Sequence, residues 1–383
     1  MTGAAIAGAF CAAVAFLNFV SVLIAIVRLR RNRQASLSGS ADPVTIVRPV
    51  CGLDAFIEET LASGFALNYP SYELIFCVAQ ANDPAVPLIG RLMRAHPAVP
   101  ARLLIGDERI SANPKLNNCI RGWDAARHDW VILADSNVLM PRDYIQRLLS
   151  RWRPDTGLVC STPIGTRPIG FWAELECAFL NTLQARWQYV GESLGLGFAQ
   201  GKSMLWRRDF LESKGGIRAL AAEIAEDAAA TKLVRSAGLR VHLVQSPFEQ
   251  PLGRRRAGDV WNRQVRWARL RRVTFPEFFA LEIFTSIALP LAAGVYAAAA
   301  GGYATLPIVG GLVVLWYGAE AVLAFCAGWP VSARLLAAFL LRDSLILPLW
   351  LFGWISTNVT WRGNAMSIRT KKLATLRSPP SAF

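Results

Sequence analysis

Two hydrophobic rhythms divide the chain. Residues 4–27, 279–301, 305–327 and 335–357 form apolar windows in which only Glu282, Glu320, Arg342 and Asp343 are charged. Each is long enough to cross a hydrocarbon core of about 30 Å at a rise of about 1.5 Å per residue. Between residues 44 and 160 the rhythm changes, and short β-branched runs alternate with longer mixed segments. That is the pattern of βα units around a mainly parallel sheet. It predicts strands at 44–50, 72–79, 101–105, 130–134 and 157–161, with helices at 56–66, 85–95, 116–126 and 141–151. The fold class expected is therefore α/β, flanked by α-helical transmembrane segments.

The boundaries follow from the same pattern. Residues 1–33 read as an N-terminal anchor with a basic flank, 34–43 as a polar linker and 44–250 as a globular domain. Residues 251–278 read as an Arg- and Trp-rich interfacial helix, 279–357 as C-terminal membrane segments and 358–383 as a basic tail. The first window has no basic residues before it and is longer than the apolar core of a signal peptide, which favours an anchor.

Composition sharpens this plan. Of the 383 residues 53% are hydrophobic and 18% charged, below the roughly 25% of a soluble domain, and the net charge is +14. Disorder is excluded, since it needs low hydrophobicity. The basicity is concentrated in three belts beside apolar windows: Arg28 to Arg33, an arginine run at 251–273 opposed only by Asp259, and the tail. By the positive-inside rule the first belt puts residue 28 onward in the cytoplasm. Three full crossings after the globule would then put the basic tail outside, against the same rule. One C-terminal segment is therefore expected to lie in the interface or re-enter, and 335–357 is the weakest because Arg342 and Asp343 sit inside it. The seven cysteines form no Cys-x-x-Cys pair and only three histidines are present, so a zinc site or a disulfide framework is not expected.

Candidate chemistry sits at predicted strand ends. Asp83 follows the second strand and Asp135 immediately follows the fourth, where open α/β sheets bind ligands. Each also has a structural reading: Asp83 precedes Pro84 and suits a helix cap, and Asp135-Ser136-Asn137 suits a turn. Neither a Gly-x-Gly-x-x-Gly nor a P-loop fingerprint is present. Glu226-Asp227 lies in an Ala-rich helical stretch at 221–237, where neighbours point about 100° apart and only one should face a given site. Arg263, Arg266 and Trp267 share a helical face. Arginine forks suit a diphosphate, while an interfacial helix meeting anionic headgroups would use the same residues.

Together these residues resemble the ceramide glucosyltransferase family, glycosyltransferase family 21, on a GT-A-type nucleotide-sugar-binding domain. The resemblance rests on Asp83 in Asn82-Asp83-Pro84-Ala85, Asp135 in Ala134-Asp135-Ser136-Asn137 and Asp227 in Ala225-Glu226-Asp227. It rests equally on Arg263-Gln264-Val265-Arg266-Trp267 and the run Asn113-Pro114-Lys115-Leu116-Asn117-Asn118. It implies an inverting transfer of a sugar, most simply glucose, from a UDP-sugar to the primary hydroxyl of ceramide. The site would lie at the cytoplasmic face of the inner membrane of the cell. Asp83 would hold the uridine, Asp135 a divalent ion (Mg²⁺ or Mn²⁺) on the diphosphate, and Asp227 would be the general base. Arg263, Arg266 and Trp267 would brace the diphosphate. Lys115 is a further diphosphate candidate, with a surface lysine at a helix start as the alternative.

One departure stands out. Many related enzymes carry a second acid two residues after Asp135, where this chain has Asn137, a weaker metal ligand. The partners implied are a UDP-sugar, a lipid acceptor and membrane lipids, with neither nucleic acid nor an obligate protein partner. Rival readings are a related enzyme acting on a hopanoid, diacylglycerol or polyprenyl phosphate, and a non-catalytic anionic-lipid-binding membrane protein.

Overall fold

A computed structural model describes residues 2–30, 42–356, 358–361 and 364–367. Arg31, Arg33, the linker at 34–41, Arg362 and the basic tail from 368 on lie outside the described residues. Helix α1 (Thr2–Arg30) carries the first apolar window. The chain then alternates through β1 (Val44–Val50), α2 (Ile57–Ser63), β2 (Tyr72–Val78), α3 (Ala85–Ala95) and β3 (Ala101–Ile105). It continues through α4 (Pro114–Asp124), β4 (Trp130–Ala134), α5 (Tyr144–Leu149) and β5 (Thr156–Cys160). These strands fall within a residue of their predicted positions. Every residue of β1, β2 and β5 is buried. A strand covered on both faces loses polar alternation, which is why these segments read as continuous apolar runs.

Beyond residue 160 the topology departs from simple alternation. After β6 (Ile164–Ile169), a continuous helical rod joins α6 (Phe171–Cys177), a π-helical stretch (Ala178–Ala185) and α7 (Arg186–Ser193). Then follow β7 (Ser203–Arg207), α8 (Arg208–Glu212), α9 (Glu226–Ser236), β8 (Arg240–Leu243) and β9 (Glu249–Arg254). The main sheet runs β3-β2-β1-β4-β7-β5-β8. Only β7 is antiparallel, to β4 on one side and β5 on the other. Strands β6 and β9 form a separate parallel pair.

The last third is helical: α10 (Ala257–Thr274), α11 (Pro276–Leu281), α12 (Ala288–Ala300), α13 (Thr305–Ala327) and α14 (Leu335–Ile355), before the hairpin of β10 (Asn358–Trp361) and β11 (Asn364–Ser367). Helix α10 begins six residues later than the interfacial helix expected from 251, because Pro251–Arg254 belong to β9. Among the described residues three helices, α1, α13 and α14, are long and apolar enough to cross a membrane. The window at 279–301 is instead bent by 50° between Pro276–Thr285 and Ala288–Ala300. The break thus lies at 279–301, while α14 runs unbroken through 335–357, the window read as weakest.

The charges explain that correction. Arg342 of α14 donates to Glu320 of α13 at 2.6 and 3.1 Å and to Thr182 at 2.8 Å, and it pairs with Asp343 at 2.7 Å. Arg186 approaches Glu320 at 3.5 Å and donates to Asn18 of α1 at 2.6 Å. Buried charges are tolerated when paired and hydrogen-bonded, so these four tie α1, α13 and α14 to the helical rod. Glu282 is likewise taken by Arg271, at 2.5 and 2.9 Å. One hydrophobic cluster runs from Trp123 and Trp206 against the sheet to Val22 of α1 and Leu323 of α13. The sheet domain and the apolar helices thus share a core.

Candidate active site

The antiparallel β7 decides what stands beside Asp135. Its register pairs Ala134 with Ser203, so Lys202 arrives next to Asp135, whose N–H donates to the Lys202 carbonyl at 3.0 Å. Buried Arg48 of β1 holds the turn from behind, donating to the carbonyls of Asp135, Ser136 and Val138 at 3.0–3.1 Å. Lys202 Nζ lies 2.9 Å from Asp135 Oδ2 and 3.0 Å from Asn137 Oδ1.

The Asn113–Asn118 run opens α4 and supplies the opposite wall. Asn113 caps the helix, its side chain accepting from the N–H groups of Lys115 and Leu116 at 3.0 and 3.2 Å, with Pro114 in the first turn. Asn117 fixes the preceding loop through Ser111, and Asn118 donates to the Cys77 carbonyl at 2.7 Å at the end of β2. Lys115 is thereby aimed inward. Its ammonium meets Asp135 Oδ1 at 2.7 Å, Glu226 Oε1 at 2.6 Å and the Gly201 carbonyl. Three acceptors use all three of its N–H bonds.

Helix α9 starts at Glu226, placing both acids of the doublet in its first turn, where the helix dipole favours negative charge. Both line the cavity described below, against the expectation that only one would. Glu226 accepts from Asn113 Nδ2 at 2.6 Å, while Asp227 accepts from the N–H of Ala228 at 2.8 Å and of Gly201 at 3.3 Å. A Cβ at position 201 would stand 2.7 Å from Glu226 Oε1 and 2.9 Å from Lys115 Nζ, so a side chain there would push this pair aside.

These neighbours drive the two key carboxyls apart. Burial works to raise Asp135, but Lys115 and Lys202 outweigh it and hold the group down at about 2. Burial and then the charge of Glu226 push Asp227 up to about 6, against the pull of Lys115. Lys115 is raised above its usual range because Asp135 and Glu226 overcome its burial. Lys202 is lowered, by burial first, with Arg263 adding to the effect and Asp135 opposing it. A pair of carboxyls split this way suits one to permanent charge and the other to proton transfer near neutral pH.

A cavity of about 1150 Å³ opens onto this centre. Lys115, Asp135, Asp227, Arg263, Arg266 and Trp267 all line it. So do Val14 and Leu17 of α1, Phe284 in the bent segment, and Leu349 and Trp350 of α14. Arg263 bonds the buried Glu176 of α6, which Arg255 also holds at 3.1 Å, and its guanidinium lies 5.7 Å from the centre of the Trp267 ring. Asp83 is used differently. Both of its oxygens accept from backbone, the Gly52 N–H at 2.9 and 3.1 Å and the Ala85 N–H at 2.8 Å, so it fastens the loop after β1 to the start of α3.

Sequence reasoning missed Lys202, Gly201 and Glu176, and assigned Glu226 no role. It also made Asp135 a metal ligand. Here both oxygens of Asp135 are taken by ammonium groups and Asn137 accepts from one of them. No group of three or more His, Cys, Asp or Glu stands ready for an ion among the described residues. With each Asp135 oxygen held by an ammonium group and Asn137 neutral, the turn offers no free carboxylate oxygen to a resident divalent cation.

Comparison with known proteins agrees with the motif geometry. The model of glycosyl transferase family 21 matches residues 12–374. Ceramide glucosyltransferase 1 of Caenorhabditis elegans is 29% identical over 241 residues, covering 62% of this chain and 52% of that protein. This chain thus matches about half the length of the nematode relative. Ceramide glucosyltransferase of Komagataella phaffii is 26% identical, covering 93% of this chain and 87% of that protein. Among solved structures, mannosyltransferase PcManGT from Pyrobaculum calidifontis, in complex with GDP-Man and Mn²⁺, superimposes with a TM-score of 0.50 at 18% identity, covering 89% of this chain and 99% of that chain. At that identity the likeness establishes the GT-A-type fold alone. With the family match running over residues 12–374, this chain belongs to glycosyl transferase family 21.

Proposed function

We propose that this glycosyltransferase moves a sugar, glucose in the first instance, from a UDP-sugar to the primary hydroxyl of ceramide at the cytoplasmic face of the cell membrane. The observation that carries this reading is that one cavity is lined both by the Asp135, Lys202 and Asp227 centre and by side chains of the apolar helices α1 and α14. A water-borne anionic donor and a membrane-borne acceptor need such a shared chamber. The names of the curated relatives supply the acceptor.

The chemistry follows from the two carboxyls. Asp227, unprotonated above about pH 6, takes the proton of the acceptor hydroxyl. The hydroxyl oxygen bonds to the anomeric carbon while that carbon's bond to the β-phosphate oxygen breaks, and the electron pair leaves with UDP. A single displacement of this kind inverts the anomeric centre. Arg263, Arg266 and Trp267 bind the diphosphate from the α10 side, and Asp83 positions the loop beneath the uridine. Asp135 keeps its charge and serves as an anchor for the lysines.

The deciding experiment incubates the full-length protein in lipid nanodiscs with ceramide and a panel of UDP-sugars, identifying products by mass. A hexosylceramide formed from one UDP-sugar is the expected result. Parallel arms with a hopanoid polyol, diacylglycerol and polyprenyl phosphate test the acceptor. Product only in one of those arms overturns the ceramide assignment, and product in none overturns the enzyme.

A further inference from the structure

Lys202 belongs to no motif, yet it occupies the most consequential place in the site. Its ammonium sits between the two side-chain oxygens that the turn after β4 presents, 2.9 Å from Asp135 Oδ2 and 3.0 Å from Asn137 Oδ1. That position is imposed by the sheet. The antiparallel β4–β7 register and the bond from the Asp135 N–H to the Lys202 carbonyl set Lys202 beside the turn after β4. From this placement we propose that Lys202 takes the place of a divalent cation, and that the donor diphosphate is bound by its ammonium rather than by a metal held at Asp135.

Three observations carry this. Lys115, the other ammonium on Asp135, is saturated by Asp135, Glu226 and the Gly201 carbonyl. Lys202 has three N–H bonds and spends two, so the third has no partner among the described residues, and its side chain lines the cavity at 17% exposure. The second observation is charge. With Asn137 neutral, the turn offers one carboxylate, and each of its oxygens already carries an ammonium group. A divalent ion placed on the same oxygens would have to displace Lys202 or face its charge at contact distance. The third is direction: Arg263, on α10, lines the same cavity as Lys202. Two cationic groups on different elements thus converge on one space, as a diphosphate requires.

In the reaction Lys202 would meet the charge that appears on the β-phosphate oxygen as its bond to the anomeric carbon breaks. A fixed donor aimed at developing charge is the arrangement that stabilises such a transition state. The assignment rests on the nucleotide-sugar reading above, so its test must separate the two. Binding of UDP to the full-length protein in nanodiscs is measured by calorimetry in EDTA and again in Mn²⁺, for wild type, Lys202→Met and Lys202→Arg. Mn²⁺ binding without nucleotide is followed by electron paramagnetic resonance.

Wild type is expected to bind UDP with the same Kd, to within about twofold, in both buffers. Lys202→Met is expected to lose about tenfold or more in EDTA, as a charge-assisted hydrogen bond would, and Lys202→Arg to keep most of the affinity. Wild-type binding that vanishes in EDTA and returns with Mn²⁺, or Mn²⁺ bound by the wild-type protein alone, overturns the lysine assignment while leaving the proposed function intact. Unaltered UDP affinity in Lys202→Met also overturns it. No UDP binding in either buffer overturns the proposed function and the assignment with it.

Discussion

Arg342 and Glu320 meet through two hydrogen bonds of 2.6 and 3.1 Å, with neither side chain exposed to solvent. Arg186 and Asp343 complete a balanced quartet around them. Removing one partner from a buried pair leaves an uncompensated charge and costs about 3–5 kcal/mol. Arg342→Leu and Glu320→Leu should therefore each lower the unfolding temperature of the purified protein substantially. The double variant should lose less than the sum of the singles, since contacting residues are coupled. Strictly additive losses would show that the quartet is not an energetic unit.

Asp227 gives the clearest activity prediction. Asp227→Asn should reduce turnover by roughly 10²–10⁴-fold, the range for loss of a general base, while UDP binding persists. The pH profile follows from the upward shift to about 6. The base works only when unprotonated, so kcat/KM should be level above about pH 6 and fall as pH drops through that value. A wild-type profile flat down to pH 4.5 would exclude Asp227 as the base.

How legible these features were depended on whether the signal was local. Strands β1, β2 and β5 show in the sequence because burial on both faces leaves unbroken apolar runs, and Asp135 is found by its place at a strand end. Lys115 carries a local signal in the Asn113-Pro114 cap that starts its helix. Lys202 carries none: it follows a glycine before a five-residue strand, and its meaning arises only when β7 inserts antiparallel between β4 and β5. Glu176 was equally hidden, since its partners Arg255 and Arg263 lie about eighty residues away. Arg342 and Asp343 made 335–357 read as the weakest window because Glu320 and Thr182, which compensate Arg342, come from other helices.

Asp83 should behave as a positioning residue. Its carboxylate accepts three backbone bonds that fix the loop after β1 and the start of α3. Asp83→Ala should lose about 1 kcal/mol of stability, as for a lost helix cap, and raise KM for the UDP-sugar with kcat little changed. Asp83→Asn, which keeps one accepting oxygen, should fall between the two. Steady-state kinetics over donor concentration distinguish this from a fall in kcat alone, which would require contact with the reacting atoms.

The two arginines of the α10 motif should separate under substitution. Arg263 is half of the compensation for Glu176, which is only 1% exposed, and it also stacks near Trp267. Arg263→Ala should therefore lower the unfolding temperature as well as UDP affinity, because Glu176 would retain Arg255 alone. Arg263→Lys would keep the charge but not the planar fork, and should recover stability only in part. Arg266 lines the cavity one helical turn further on. Arg266→Ala should raise the Kd for UDP about tenfold, the value of one charge-assisted contact, with a smaller fall in unfolding temperature than Arg263→Ala. Calorimetric binding and thermal unfolding on the same preparations make the comparison. Equal stability losses in both variants would mean that Arg266 serves the fold rather than the diphosphate.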